Sequence, residues 1–179
     1  MKGRLKLAVL VAVLTGLAVV VTTAIAGGDR DIREHLTGYQ EDPQALSTTG
    51  RGTFDARISK SEQKIFYRLR YADLEGAVTQ AHIHFGGRAQ SGGISVFLCS
   101  NLGNGPAGTQ ACPAAPATVT GTLEPDDVIG PAAQGIAPGE FNELVAAIRA
   151  GATYANVHST KYPGGEIRAQ LHGKRHRSH

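Results

Sequence analysis

Cysteine, methionine and tryptophan are scarce in this 179-residue sequence, which has two cysteines, one methionine and no tryptophan. Cys99 and Cys112 flank the glycine-rich segment SNLGNGPAGTQA, a spacing that matches no cysteine-based zinc motif. In an oxidising compartment so close a pair is expected to form a disulfide, which would stabilise the fold by about 3 kcal/mol on chain-entropy grounds. Two free thiols or a metal-binding pair are the alternatives.

The sequence also lacks an excess of basic residues between its two ends. Its net charge is +3, with 18 basic and 15 acidic residues. Three basic residues lie in positions 1–26 and three in the tail 173–179, so residues 27–172 hold 12 basic against 15 acidic residues. A body with a charge of −3 is a poor match for phosphate polymers, which excludes nucleic acid as the expected partner. The basic, histidine-rich tail GKRHRSH is interpreted as a solvated end, with loose metal binding or contact with an anionic surface as the alternative.

The first 26 residues have the pattern of a secretory signal peptide. Lys2, Arg4 and Lys6 precede an apolar run, and the small-residue site Ala24-Ile25-Ala26 follows. We expect cleavage after Ala26, a short linker over 27–33, and a mature protein that is secreted or lies on the exterior of the cell envelope, or in a periplasm. The apolar run is also long enough for an uncleaved anchor. After cleavage no membrane association is expected.

The composition favours many short strands. Glycine (23) and proline (8) are frequent, and valine, threonine and tyrosine recur in short runs. In QKIFYRLRYADL, apolar and polar residues alternate with the period of two that is typical of a strand with one buried face. Eight segments are predicted as strands: 34–40, 50–58, 63–74, 77–86, 92–99, 117–123, 153–159 and 165–172.

One helix is predicted among these strands, over 140–151. Phe141, Leu144, Val145 and Ile148 have the i, i+3, i+4, i+7 spacing of one helical face, and Gly151 is a suitable end. The predicted fold class is therefore mainly β: an antiparallel β-sandwich, Greek-key, immunoglobulin-like or superoxide-dismutase-like, with about eight strands in two sheets and one short helix.

Three motifs resemble the CHRD, or chordin-type, domain family: LTGYQEDP, AHIHFG and FNELVAAIRAGATYANVHSTKYPGGEIRAQL. The resemblance covers roughly residues 34–172, with Ala169 in place of the glycine usual in the family's last motif and the Cys99–Cys112 loop similar to an insertion. It implies a secreted β-sandwich. In animal chordin such domains belong to an extracellular antagonist of bone morphogenetic proteins, and in bacteria they are commonly single-domain exported proteins without an established activity. The resemblance thus implies an extracellular binding or structural module with a protein or cell-surface partner.

Histidines recur on the polar sides of the predicted strands. Ala81 and Ile83 must face the core, so His82 and His84 face outward, and the same alternation places His158 outward on its strand. An H-x-H pair joined by a third histidine from a neighbouring strand is a ligand set suited to copper or zinc. The arrangement is geometrically similar to copper–zinc superoxide dismutase, but the bridging histidine and zinc-ligand run of a dinuclear site are absent.

Two interpretations of these histidines stay open. They are either ligands of one copper or zinc ion, which would allow redox activity in the manner of a superoxide dismutase, or polar groups that organise the sheet beneath a loop. Four polar residues are predicted to support this face: Asn156, Glu166, Arg168 and Gln170, with Glu166 and Arg168 as an ion pair or a loop clamp. No Ser-His-Asp order, phosphate loop or paired-carboxylate spacing stands out, which favours a protein that is not an enzyme.

Overall fold

The computed structural model describes residues 31–172. Eight strands, one α-helix and three short 3-10 turns make up this part of the chain. The strands are β1 (Asp31–Thr37), β2 (Arg51–Ile58), β3 (Ile65–Ala72), β4 (Val78–Phe85), β5 (Gly93–Ser100), β6 (Ala117–Leu123), β7 (Thr153–Ser159) and β8 (Ile167–Leu171), and the helix is α1 (Phe141–Arg149). The predicted mainly β, antiparallel fold with one helix is confirmed for the described residues.

All eight strands form one antiparallel sheet, in the order β5-β4-β7-β8-β1-β2-β3-β6. The alternation read from the sequence sets the two faces of β3, whose side chains are alternately buried and exposed. Its buried members, Ile65, Tyr67, Leu69 and Tyr71, join a single apolar core with the inward residues of the other strands. Burial of this alternating set fixes the register, since a slip of one residue would expose it.

The sheet curls until its edge strands β5 and β6 lie close together. The hydroxyl of Tyr67 donates a hydrogen bond to Leu98 O across the interior, at 2.9 Å. Gln110, in the loop between the two edges, donates from its Nε2 to Leu98 O and to Thr120 O, both at 3.2 Å. The two layers expected of a sandwich are therefore the two halves of one nearly closed sheet.

Helix α1 buries the face predicted from its spacing. Phe141, Leu144, Val145 and Ile148 are each at most 2% exposed and belong to the core. Gly151 follows the helix with a φ of +69°, a left-handed conformation that glycine adopts without strain. The helix thus lies against the sheet and adds its apolar stripe to the same core.

Some predicted boundaries differ from the structure. Strand β1 begins at Asp31, so residues 31–33 belong to the first strand and not to the linker expected over 27–33. Strand β8 is shorter than the predicted 165–172, because Gly165 and Glu166 belong to the turn before it. The predicted signal peptide and the basic tail lie outside the described residues. Within residues 31–172 the longest apolar helix is too short to cross a bilayer.

The two cysteines are placed to form the predicted disulfide. Their sulfur atoms lie 2.01 Å apart and their α-carbons 5.0 Å apart. Asn101 holds the same loop through its side chain, which donates to Val78 O and Cys112 O and accepts from Cys112 N. The loop between β5 and β6 is therefore fastened at its base by a covalent bond and by an amide side chain.

Candidate metal centre

Strands β4 and β7 pair directly, which brings the predicted histidines onto adjacent strands. The antiparallel register sets His82 opposite Asn156 and Gln80 opposite His158. His158 is therefore a diagonal neighbour of His82 on the same face. Ala81 and Ile83, which alternate with the β4 histidines, are fully buried in the core, as the sequence predicts.

The pairing of β4 with β5 is irregular beside both histidines. The register shifts between Ala81 and His82, and again between Ile83 and His84. At each shift β5 has one extra residue, an arrangement that bends a strand and re-aims its side chains. One result is that Phe97 lies against His82, with ring centroids 4.4 Å apart and planes almost perpendicular.

His82, His84 and His158 converge. One ring nitrogen from each lies within 4.8 Å of the other two. The rings of His82 lie 5.3 Å from His84 and 5.0 Å from His158, between centroids. Exposed fractions are 0% for His82, 8% for His84 and 6% for His158, so all three are shielded from solvent.

Backbone carbonyls fix the protonation of two rings. A carbonyl oxygen can only accept, so His84 Nδ1 donates its proton to Gly92 O at 3.0 Å, and His158 Nδ1 donates to Pro163 O at 2.9 Å. Each neutral ring then presents an unprotonated Nε2. This is the arrangement in which metal-binding histidines are commonly held, with the second nitrogen bonded to a carbonyl.

Two buried nitrogens of the cluster have no hydrogen-bond partner in the part of the chain that the structure describes. His82 Nδ1 lies 3.2 Å from His158 Nε2 and donates to it when both rings are neutral. Nε2 of His82 and Nε2 of His84 are buried without a hydrogen-bond partner among the described residues. An unpartnered buried polar atom costs about 1–3 kcal/mol, so two of them side by side are unfavourable unless a ligand uses their lone pairs.

The surroundings keep the three imidazoles neutral. Burial lowers the pKa of His82 to about 2, with further lowering by the nearby His158 and His84. Burial also lowers the pKa of His84 to about 4, assisted by His158 and Arg168 and opposed by the bond to Gly92 O. The pKa of His158 is lowered by burial as well. Neutral imidazoles are the form that binds metal ions.

Loops distant in sequence cover this face of the sheet. Every residue of β7 and β8 is buried, although only one face of these strands contacts the core. The cover consists of segment 38–50 after β1, the 86–92 turn between β4 and β5, and the 160–166 turn between β7 and β8. These segments are attached to the face by hydrogen bonds that Asn156 donates to Glu41, His84 to Gly92 O and His158 to Pro163 O.

The predicted support residues act as loop clamps, and Glu166 and Arg168 have different partners. Arg168 donates to Gly87 O at 2.9 Å and to Gln90 O at 3.1 Å, and Gln170 donates to Gly86 O and Gly151 O. Glu166 is fully buried, and its Oε1 accepts from the Thr48 hydroxyl and from Glu75 N, both at 2.7 Å. Asn156 donates to Glu41 at 2.7 Å.

Three further residues of the centre, Tyr154, Phe97 and Glu41, were not among the site residues predicted from the sequence. Tyr154 stacks on His84, and Phe97 meets His82 edge to face. Burial raises the pKa of the Glu41 carboxyl to about 8. Tyr154 precedes Asn156 and His158 by steps of two, so its place on the polar face was readable. Phe97 and Glu41 come from a bulged strand and a covering loop, and no local pattern identifies them.

The donor set fits one transition-metal ion. Three neutral imidazoles suit copper and zinc, which take nitrogen ligands at about 2.0–2.1 Å and therefore need ligand nitrogens about 3.3 Å apart. One ring nitrogen from each histidine lies within 4.8 Å of the other two, so an ion would draw the three rings somewhat closer together. Neither cysteine is available as a ligand of the centre, because the sulfurs of Cys99 and Cys112 are paired with each other.

Comparison with known proteins gives one match. The family model described as the CHRD domain matches residues 32–171, from the second residue of β1 to the last residue of β8. No curated protein and no solved structure matches the chain significantly. Since the match spans most of the sequence and all eight strands, the chain belongs to the CHRD domain family.

Proposed function

We propose that this CHRD-domain protein binds one copper or zinc ion through His82, His84 and His158. The observation that carries the proposal is the pair of buried, unpartnered Nε2 atoms of His82 and His84 within a convergent group of three imidazoles. Other buried side-chain atoms of residues 31–172, such as Ser95 Oγ and Gln170 Oε1, also have no partner, but they are not grouped with three metal-ligating side chains. A metal ion would use these lone pairs without requiring any charged ligand.

The residues around the centre would hold and shield the ion. Bound zinc would cross-link β4 to β7, and bound copper would in addition supply a one-electron redox couple. The carbonyls of Gly92 and Pro163 keep the proton on the far nitrogen of His84 and His158. Phe97 and Tyr154 exclude water from the rings. A centre closed in this way suits an ion that is held in place. It does not suit a catalytic centre, which must be open to substrates, so we propose binding and not turnover.

The proposal places this centre in an exported protein. The basic, apolar and small-residue succession of residues 1–26 and the pair Cys99 and Cys112 support export to an oxidising compartment. N-terminal sequencing tests this point, with Gly27 as the expected first residue of the mature chain. A membrane-retained chain that still begins at Met1 would contradict cleavage.

Metal content measured by mass spectrometry tests the centre directly. Protein purified from medium supplemented with copper and zinc is expected to retain about one ion per chain after dialysis against a weak chelator. The His84→Ala variant is expected to retain less than about a tenth of that, because two neutral ligands hold such ions weakly. Circular dichroism should show that the variant keeps its sheet.

Two control variants make the test specific. His35→Ala removes an exposed histidine of β1 that lies outside the cluster. The double variant His176→Ala/His179→Ala removes two histidines of the basic tail, which is the other metal-binding candidate in the sequence. Both are expected to retain the ion. Loss of the ion in the tail variant, or equal affinity in wild type and His84→Ala, would end the proposal.

A further inference from the structure

The outer face of the other half of the sheet is open to solvent. In β3 the outward residues Phe66, Arg68 and Arg70 are exposed, and in β6 Thr118, Thr120 and Thr122 are exposed. This contrasts with β7 and β8, which are buried throughout. One fold therefore carries a covered face with the histidines and an open face on strands β1, β2, β3 and β6.

Strand register arranges the outward side chains of the open face in rows. Antiparallel pairing aligns β1 with β2, β2 with β3 and β3 with β6. We call the resulting surface the arginine face, and its main rows are Asp31-Arg57-Phe66-Thr122, Arg33-Asp55-Arg68-Thr120, His35-Thr53-Arg70-Thr118 and Thr37-Arg51-Ala72.

The arginine face concentrates positive charge on an acidic domain. It carries five arginines and two aspartates, a net charge of +3. Residues 31–172 as a whole carry 11 basic and 14 acidic residues, a net charge of −3. The rest of the described chain therefore has a charge of −6, so the sign changes sharply at this face. Such segregation attracts an anion to one side of the molecule.

The arginines are only partly neutralised by their neighbours. Asp55 accepts from both Arg33, at 2.6 Å, and Arg70, at 2.9 Å. Arg57 lies over the ring of Phe66, with 5.9 Å from Cζ to the centroid. Arg68 has no ion pair or hydrogen bond from its side chain to any residue of 31–172. Arg51 pairs with Asp73 at the edge of the face. Among the described residues, the guanidinium groups of Arg57 and Arg68 have no acidic partner and are thus free to bind an acidic ligand.

Two grooves follow the rows. One of about 550 Å³ runs past Arg51, Thr53 and Arg70, and another of about 570 Å³ runs past Arg33, Arg57 and Arg68. The second also contains Phe66, which is 42% exposed. The two grooves have no lining residue in common, but they lie on neighbouring rows of the same four strands.

We propose that the arginine face binds an acidic polysaccharide. Guanidinium groups bind carboxylates or sulfates in a bidentate manner, the threonines of β6 supply hydroxyl groups for sugar hydroxyls, and Phe66 supplies an exposed ring against which a sugar ring packs. This interaction goes beyond the metal centre, which lies on β4 and β7, and gives the extracellular module a chemical class of partner.

The charge pattern disfavours other occupants. A second copy of the chain docked face to face would set one face of +3 against another. Nucleic acid carries about one charge per 1.7 Å of duplex, a much denser pattern than alternating arginines and aspartates provide. An acidic polysaccharide has its charges spaced by sugar units, with hydroxyl groups between them. The rows of the arginine face likewise alternate charged side chains with neutral polar ones, so the two patterns match.

Binding of the full chain to polygalacturonate at low ionic strength tests the proposal. The variant Arg57→Gln/Arg68→Gln is expected to bind about tenfold more weakly than wild type, and binding should weaken on addition of salt. The control Lys60→Gln/Arg88→Gln removes the same charge from two exposed positions outside the face and should bind as wild type. The fourth protein in the comparison is His84→Ala, which lacks one ligand of the proposed metal centre. All four proteins retain the basic tail.

Three results would overturn the proposal. The first is the absence of saturable binding to polygalacturonate. The second is an equal loss in the control and in the arginine variant, which would indicate a general charge effect. The third is tighter binding of a single-stranded oligothymidylate than of the polysaccharide. Uncharged dextran should not bind. Because His84→Ala leaves the arginine face intact, its unchanged binding separates this proposal from the metal centre.

Discussion

The ring of Tyr154 lies parallel to the imidazole of His84, with 4.7 Å between centroids and 1° between planes. The guanidinium of Arg168 also lies over the ring of Tyr154, with its Cζ 3.5 Å from the ring centroid. The hydroxyl of Tyr154 accepts a hydrogen bond from Gly92 N at 3.1 Å, and Gly92 O in turn accepts from His84. Two side chains and one turn thus set the orientation of one proposed ligand.

Replacing Tyr154 with Leu should weaken zinc binding about tenfold, because residues that orient a ligand typically contribute that much to metal affinity. Tyr154→Phe is the matched control. It keeps the stacked ring and removes only the acceptor for Gly92 N, so it should lower the free energy of unfolding by about 1 kcal/mol and leave affinity nearly unchanged. Competition with a chromophoric chelator measures both. Equal affinities in the two variants would show that stacking does not orient His84.

Replacing Arg168 with Lys should open the 86–92 turn. A lysine keeps the charge but cannot reach Gly87 O and Gln90 O with one planar group while covering Tyr154. Hydrogen exchange of amides in residues 86–92 should become about tenfold faster, and zinc should dissociate faster from the variant. Exchange in β2 and β3, which lie away from this turn, serves as the internal control. Unchanged exchange at 86–92 would contradict the clamp.

Glu41 should make stability fall as the pH rises. Burial raises the pKa of its carboxyl to about 8 from an ordinary value of 4.5, while the charge of Arg168 and the bond from Asn156 offset part of this rise. Between these two pH values Glu41 is ionised in the unfolded chain and protonated in the folded chain. The protonated carboxyl therefore contributes to the free energy of unfolding in full below pH 4.5, and this contribution is lost as the pH rises through 8.

The Glu41→Gln variant lacks this dependence. Urea unfolding of the metal-free protein at pH 5 and pH 9 should show wild type losing about 2 kcal/mol more than the variant over that range, a value reduced for the partial exposure of the carboxyl. Glu143→Gln, at an exposed position of α1, should behave as wild type. Parallel pH profiles for wild type and Glu41→Gln would show that the carboxyl ionises normally.

Removing the disulfide should lower stability by about 3 kcal/mol, as expected for closing a loop between residues 13 apart. The double variant Cys99→Ala/Cys112→Ala is preferable to serine, since Cys99 is fully buried and a hydroxyl there would need a partner. Intact mass should increase by two hydrogens on reduction of the wild-type protein. Two thiols that react with an alkylating agent in the native, unreduced protein would contradict the bond.

Alternation along the strands was sufficient to predict much of the fold and the histidine face. The period of two in β3 and the opposite placement of Ile83 and His82 depend only on neighbouring residues, and burial of the apolar set leaves one register. The helix was readable for the same reason, because Phe141 and Ile148 recur at its own period.

Features made by distant segments could not be read in this way. Closure of the sheet depends on Gln110, in a loop whose path no local pattern specifies. The different partners of Glu166 and Arg168 depend on where three loops cross the face, although both side chains point outward as the alternation requires. The arginine face also needed the strand order, since residues of β1 and β6 are far apart in sequence and only pairing aligns them.

Gln110 also affects what can attach to the sheet. An open edge strand offers a row of unpaired amide and carbonyl groups on which another chain can grow as an additional strand. Here one amide side chain bonds Leu98 O on one edge and Thr120 O on the other, and the disulfide loop lies across the same seam. The seam of the sheet is therefore capped against strand addition, so this domain can expose a broad sheet surface to a polymer without offering an edge for its own polymerisation.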